Sequence, residues 1–484
     1  MAKVDQGTQT FTLPELKNGI VREAAVDEFI VPKDSVELAI NMHFDRIGAV
    51  MRRPGVTKLG DTISSGNPVL GMGVFRNNAG TVHAALAKVD TVVYANTGSG
   101  WTSVRTGLTA STKARFTTFA DYVYMVNGNN TNNNGAALGT WSGSGSFGTT
   151  NDGDLPDGDF IENYRSRIWV ADNSVDKVYY SDVVATNNAI TGGTSFIQIS
   201  PNDGEKITAL KRHSRALLVF KQNHIYRIFS ISSTDPDPAI FRGTYSQESV
   251  VESKDGIYYH HPTGFYKFVF DGEQEEISRP IIDVVKAIPR SKFEDIVGWS
   301  DEDHVAWEIG DITLDGISFT NLVCRRTIST QVWTIYSYPF EVRSAALYDN
   351  GSDLFNLLGG SDGSVYKYDV GNGDNGSDIF FDLITHWMYL TEDRSLQKTL
   401  TKIKAYTENA VGVNVSFQLD GDSQQKTNNA WRPIRGIQKN LADTLSLNAS
   451  NFTRIRFRFS GSSKGTPEIF RGMEGLDITT AQPE

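Results

Sequence analysis

The sequence predicts an all-β chain whose main body is a β-propeller, and three observations point there. Seven short apolar or aromatic segments recur through the first three-quarters of the chain: HAALA (83–87), YVYMV (122–126), RIWVA (167–171), LLVFK (217–221), GIYYH (256–260), VAWEI (305–309) and LFNLL (354–358). Their central residues, Ala85, Tyr124, Trp169, Val219, Tyr258, Trp307 and Asn356, are spaced by 39 to 50 residues, the length that builds one four-stranded blade. No stretch keeps an apolar period of 3.6; alternating runs such as RIRFRFSG (454–461) dominate, and alternation is the mark of a strand with one buried face. Finally, 44 Gly and 11% aromatic residues suit many turns and pleated surfaces better than helices. The spacing is not a strict motif, so about seven blades are expected, with six to eight open.

At 484 residues the chain is longer than one hydrophobic core usually spans, so more than one domain is expected. Residues 1–60 read as an extended N-terminal arm with short strands. In VELAINMHFDRIGAVMRRPGVTKL (36–59), turn signals at Arg46-Ile47-Gly48 and Arg53-Pro54-Gly55 break the apolar runs, giving two short strands around a tight turn and then a second turn. Residues 61–378 hold the blades. Pro262-Thr263-Gly264, Asp271-Gly272 and Ile328-Ser329-Thr330-Gln331 mark hairpin turns between alternating strands. Two polar stretches interrupt them. Residues 127–159 are too poor in apolar side chains to order themselves and are expected as a long, mobile, exposed loop. DVGNGDNGSD (369–378) is expected as the linker leaving the propeller. Residues 379–484 hold at least five strand-like runs without blade spacing, most simply a small antiparallel β-sandwich.

The net charge of −11 argues against broad adhesion to DNA, which needs clustered Lys and Arg. It is compatible with DNA sliding past, because an acidic wall repels phosphate. The single cysteine, Cys324, excludes an internal disulfide framework and fits folding in a reducing cytosol, with the thiol buried in a strand. MAKVDQGTQTFTLPEL has no apolar core of a signal peptide, and no later run approaches an 18-residue apolar span, so neither a signal peptide nor a membrane anchor is expected.

Chemistry is less visible than architecture. Acidic clusters at Asp301, Glu302 and Asp303, and at Glu273, Glu275 and Glu276, hold enough carboxylates for a glycosidase pair but sit in turns, where acids serve solvation. YANTGSGW (94–101) is a degenerate Asp-box-like turn, with Tyr94 where Ser or Thr belongs. His260 and His261 are adjacent strand residues that point to opposite faces and are poorly placed to share a zinc. Asn372, Asp374 and Asp378, and Asp152, Asp154, Asp157 and Asp159, offer oxygen ligands at short intervals without the calcium-loop pattern. No P-loop, dinucleotide fingerprint, GxSxG or HExxH is present. No residue is assigned as catalytic, cofactor-binding or metal-ligating, and no cofactor is expected. Arg454, Arg456 and Arg458 alternate with Ile455, Phe457 and Phe459. A half-buried strand accounts for that pattern, leaving an arginine row to meet an acidic neighbouring subunit.

The arm supplies the most specific signal. Ile40, Asn41, Met42, Phe44, Asp45, Arg46, Gly48, Arg53, Pro54 and Gly55 form a pattern that resembles the stretch preceding the propeller in tail nozzle (tail hub, tail tubular) proteins of short-tailed bacteriophages. FIENYRSRIWVADNSVDKVYYSD (160–182), LKRHSRALLVFKQNHIYRI (210–228) and SKDGIYYHHPTGFYKFVFDGEQEEIS (253–278) are similar to the blades of that family. The resemblance covers about residues 1–380 and less clearly the sandwich. It implies a virion structural protein and no enzyme. Its subunits would form a homohexameric ring below the portal and adaptor proteins, in a tail assembled in the host cytoplasm. That ring would extend the DNA-ejection channel, pass double-stranded DNA without specific binding, and dock fibres or spikes. Interface candidates are Asp45, Arg46, Arg52, Arg53, Arg454, Arg456 and Arg458; lumen or partner-loop candidates are Asn130, Asn133, Asp152, Asp154 and Asp157. Two rival classes are a glycan-binding or glycan-cleaving propeller, phage-borne or cellular, and a general interaction scaffold.

Overall fold

The computed structural model describes residues 9–13, 16–22, 32, 34–46, 49–128, 139–149, 155, 158–184, 195–232, 238–269, 273–314, 316–420 and 431–481. Among the described residues the alternating runs become seven sets of four antiparallel strands. Set 1 is Val69–Arg76, His83–Val89, Val92–Asn96 and Trp101–Arg105; set 2 is Arg115–Phe119, Tyr122–Val126, Gly139–Trp141 and Gly148–Thr149. Set 3 is Phe160–Tyr164, Arg167–Ala171, Lys177–Tyr180 and Phe196–Gln198; set 4 is Ile207–His213, Ala216–Lys221, His224–Ile228 and Pro238–Phe241. Set 5 is Val251–Ser253, Gly256–His261, Gly264–Phe268 and Gln274–Glu276; set 6 is Val297–Ser300, His304–Leu314, Ile317–Thr327 and Trp333–Ser337. Set 7 is Val342–Asp349, Leu354–Gly360 and Val365–Lys367, and its fourth strand, Thr57–Lys58, comes from the arm.

The first strands neighbour one another in order, with the short turn Gln247–Ser249 between sets 4 and 5, and Val342–Asp349 lies against Val69–Arg76. The sets therefore close into a ring, the architecture of a β-propeller. Each of the seven recurring segments is the second strand of its set. Such a strand is covered on both faces, because successive side chains point to opposite neighbours. In set 1, Ala84 and Leu86 pack towards set 2 while Ala85 and Ala87 pack towards set 7. The core is thus a series of packets between adjacent sets, each with its own buried cluster. Cys324 is fully buried in the packet that set 6 shares with set 5 and the sandwich.

The remaining strands form two facing sheets. One contains Met42–Arg46, Ala49–Arg52, Ile469–Ala481, Gln397–Glu408 and Asp443–Phe452, with Gln9–Leu13 also on Ile469–Ala481. The other contains Val36–Ile40, Ile379–Thr385, Ile455–Ser463, Asn414–Leu419 and Arg432–Pro433, and continues into set 6 because Val36–Ile40 pairs with Trp333–Ser337. Ile455, Phe457 and Phe459 point inward and are buried with Ile403, Leu445 and Ile478 from the facing sheet. Strands of residues 36–58 thus belong to both sandwich sheets and to set 7.

Two expectations about loops are corrected. Within the polar stretch 127–159, Gly139–Trp141 and Gly148–Thr149 are not loop. They form the outer strands of set 2, fastened by Trp141, whose ring lies 5.6 Å from Phe75 and 6.1 Å from Phe147. The stretch 369–378 does not simply lead away from the propeller, because Asp374 turns back to bridge Val56 beside the closing strand. The hairpin turn at Asp271-Gly272 lies outside the described residues.

Candidate functional site at the ring axis

The arm residues that carry the resemblance form a clasp. Asn41 adopts a left-handed conformation with φ of 56°, which asparagine tolerates better than most residues. It turns the chain from one sandwich sheet to the other. Its Nδ2 donates to Phe380 O at 2.7 Å, and its Oδ1 accepts from Ser337 N and Arg53 Nε, both at 2.8 Å. Arg53 continues with Nη2 to Ser337 O at 2.9 Å and both terminal nitrogens on Asp374, while its guanidinium lies 4.3 Å from the Tyr338 ring centre. Arg52 bonds Glu468 Oε2 at 2.6 Å, Asn372 O at 2.9 Å and Gly465 O at 2.8 Å. Gly55 follows with its Cα so close to Gly373 that a Cβ would stand 2.1 Å from the carbonyl oxygen. Thr57–Lys58 then completes set 7.

These positions correct the interface expectation for Arg52 and Arg53. Both are wholly buried and satisfied within the chain, so they cannot face a partner. The arginine row is corrected in part. Arg456 pairs with Glu37 at 2.5 Å and Arg458 with Asp382 at 2.8 Å, so those acidic partners come from the same chain. Arg454 and Arg456 both lie over Trp387, at 4.8 and 4.7 Å. Asp45 and Arg46 lie in strand Met42–Arg46. Asn130, Asn133, Asp152, Asp154 and Asp157 lie outside the described residues.

The acidic and imidazole candidates are also placed. Asp301 accepts from His304 Nδ1 at 2.7 Å and from the Asp303 amide at 2.9 Å, and Asp303 pairs with Lys254 at 3.0 Å. These carboxylates organise a turn. His260 and His261 do face opposite ways: His260 packs on Phe265 and Phe293, whereas His261 bonds Thr263 Oγ1 at 2.8 Å. Burial holds the imidazole of His260 down to about 3, with His261 adding to the effect. Asp374, a candidate calcium ligand, has both oxygens engaged by Arg53.

Charge converges at the ring axis. Residues of six first strands, including Met72, Phe116, Glu162, Lys211, Val297 and Arg343, surround a cavity of about 230 Å³. It opens beside a polar mouth of about 340 Å³ lined by residues such as Lys113, Arg115, Asp159, Lys206, Glu248 and Asp295. Glu248 accepts from Arg115 Nε at 2.8 Å and lies 3.4 Å from Lys113 Nζ. Burial opposes its charge, but the two cations override it and pull the carboxyl down to about 2. Lys113 also reaches Asp295 at 3.2 Å, Arg343 approaches Asp295 at 3.8 Å and Glu341 at 3.0 Å, and Lys292 pairs with Glu341. Asp159 is pushed up by burial although the Asn173 amide donates to it at 2.7 Å.

The mouth is therefore a belt of alternating charge, with Glu248 held as an anion rather than poised as an acid. Sequence reasoning did not single out Lys113, Arg115, Glu248, Asp295 or Arg343. Their signal is positional: each lies in, or just before, the inner part of a set, where propeller spacing places the axis.

No family model and no curated protein matches the sequence. Among solved structures, the chain is similar to the Pan2 WD40 domain of Neurospora crassa, at 10% identity over 66% of this chain and 94% of that one, with a TM-score of 0.39. It is likewise similar to BBS1N in its complex with ARL6DN, at 8% identity over 65% and 96% of the two chains, with a TM-score of 0.39. The class defined by the strand sets is a β-propeller protein with a β-sandwich built onto one sector.

Proposed function

We propose that this chain is a virion structural protein, a tail nozzle or hub subunit of a short-tailed bacteriophage. Its role would be to form a ring that extends the DNA-ejection channel below portal and adaptor proteins and offers docking for fibres or spikes. The observation that carries this reading is the clasp. Asn41, Arg53, Pro54 and Gly55, the core of the nozzle-like pattern, close the propeller and lock it to the sandwich. A disc closed in this way suits a part that must keep its shape under internal pressure.

The axial cavity narrows the reading. At about 230 Å³ and bordered by ion pairs, it does not admit a duplex whose major groove alone is about 12 Å wide. DNA would therefore pass along the symmetry axis between subunits and not through a propeller. Six copies at −11 each carry −66; if acidic surface lines the bore, DNA slides without adhering. The role needs no catalysis and places the protein in the virion tail after assembly in the host cytoplasm.

Native mass spectrometry with negative-stain imaging, on untagged protein from its natural particle, tests the reading. A six-copy ring, alone or with a portal-like partner, supports it. A monomer in that preparation, or a ring with a basic bore, counts against it; a monomer would direct attention to a glycan-binding screen.

A further inference from the structure

Each set turns from its first strand into its second on the same rim of the ring, and charge is unevenly spread over those turns. Sets 2, 6 and 7 carry acids there, Asp121, Asp301 to Asp303, and Asp353, whereas set 5 carries one charge of each sign, Lys254 and Asp255. Sets 3 and 4 carry Arg165 and Arg215, with Arg212 near the end of strand Ile207–His213. Tyr164, Arg165, Arg212, Ser214, Arg215 and Phe229 line an open groove of about 600 Å³. Tyr164 braces it, donating from its hydroxyl to Arg215 O at 2.6 Å, and Arg165 lies 5.5 Å from the Tyr164 ring centre.

Among the described residues no carboxylate lines the groove. Arg165 meets an aromatic ring, and Arg212 bonds the neutral Asn163 Oδ1 at 2.5 Å. Among the described residues neither guanidinium has an ion-pair partner, although the chain as a whole is acidic. Phe229 beside them is 44% exposed. Arginine and aromatic side chains are the types that anchor protein interfaces, and the guanidinium fork matches a carboxylate.

We propose that this groove docks a short acidic segment of a partner protein, its carboxylates on Arg165 and Arg212 and an apolar side chain against Phe229. The volume falls within the roughly 300–1,000 Å³ of built binding pockets. The neighbouring sets decide the occupant. A long polyanion such as nucleic acid would run from the groove onto Asp121 in the neighbouring turn of set 2, where like charges repel; a compact acidic segment ends before reaching it. The inference stands independently of the tail reading.

The test is fluorescence anisotropy of the full chain with a short fluorescein-labelled peptide of alternating Glu and Phe, and oligothymidylate as competitor. Binding should weaken as salt rises. It should fall by about tenfold or more in the double variant Arg165→Glu/Arg212→Glu and persist in Arg471→Glu, an exposed site on the sandwich. Both exposed positions should leave the melting temperature unchanged; if the double variant melts early, Arg165→Gln/Arg212→Gln is read in its place. Absence of binding at low salt, equal binding by the charge-altered variant, or displacement by oligothymidylate at lower concentrations than by unlabelled peptide would each overturn the proposal.

Discussion

Arg53 and Asp374, 321 residues apart, meet in a two-pronged pair, with Nη1 to Oδ1 at 2.8 Å and Nη2 to Oδ2 at 2.6 Å. The pair is almost completely removed from water. It holds the arm against the segment leaving set 7, and the next residues of the arm supply that set's last strand. One contact therefore governs both ring closure and the join to the sandwich.

Asp374→Ala leaves a buried guanidinium without its counter-charge. Breaking a buried pair in this way costs about 3–5 kcal/mol, and the loss should appear in urea unfolding. Arg53→Lys should also destabilise, because an ammonium cannot reproduce the fork. Wild-type stability in both variants would show that the clasp contributes nothing.

Gly55→Ala tests closure by sterics rather than charge. The added Cβ would meet Gly373 backbone atoms at 2.1, 2.5 and 2.7 Å, and backbone cannot swing aside like a flexible side chain. A cost of roughly 2 kcal/mol or more is expected, with faster amide hydrogen exchange in strand Val365–Lys367. Unchanged exchange there would separate Gly55 from ring closure.

Two buried groups should make stability depend on pH in opposite directions. Glu308 is buried in set 6, and burial first, then nearby Glu341, pushes its carboxyl up from 4.5 to about 8. The fold holds a proton that unfolding releases, so this contribution is complete below 4.5 and lost as pH rises through about 8. His260 runs the other way. Burial lowers it from 6.5 to about 3, so its contribution is present above 6.5 and lost as pH falls towards 3. Glu308→Gln should flatten the decline in urea midpoints between about pH 4.5 and 8 and leave the decline below 4.5 intact; an unchanged slope in that window would remove Glu308 as its cause.

Glu248→Ala should loosen the axial mouth, since Arg115 and Lys113 lose their shared carboxylate. A loss of about 1.5–3 kcal/mol is expected for charge-assisted hydrogen bonds in a half-buried site. Its share of acid sensitivity, set by a carboxyl that titrates near 2 instead of 4.5, should vanish as well. A variant with the wild-type acid profile would mean that Glu248 is not the group responsible.

The propeller was legible where burial is two-sided. Segments such as Ala216–Lys221 are buried at every position, so their composition is undiluted by solvent. Outer strands were harder to read. Gly148–Thr149 and Thr57–Lys58 have two residues each, too short for a period, so in sequence the first reads as part of a loop at 127–159 and the second as part of a separate arm. The axial charges were equally hidden, because Lys113 and Glu248 become neighbours through ring closure and not through spacing.

By itself the sequence determined the all-β character, the recurring strand that builds the ring and the half-buried alternation of Ile455, Phe457 and Phe459. These follow from local periodicity, which depends on nearby residues alone. Tertiary structure decided that Arg52 and Arg53 are internal fasteners, that residues 57–58 complete set 7, and that the axis is ringed by paired charges. Each of those outcomes depends on contacts between distant parts of the chain, and the same arginine reads alike in sequence whether it meets water, a partner or a buried carboxylate.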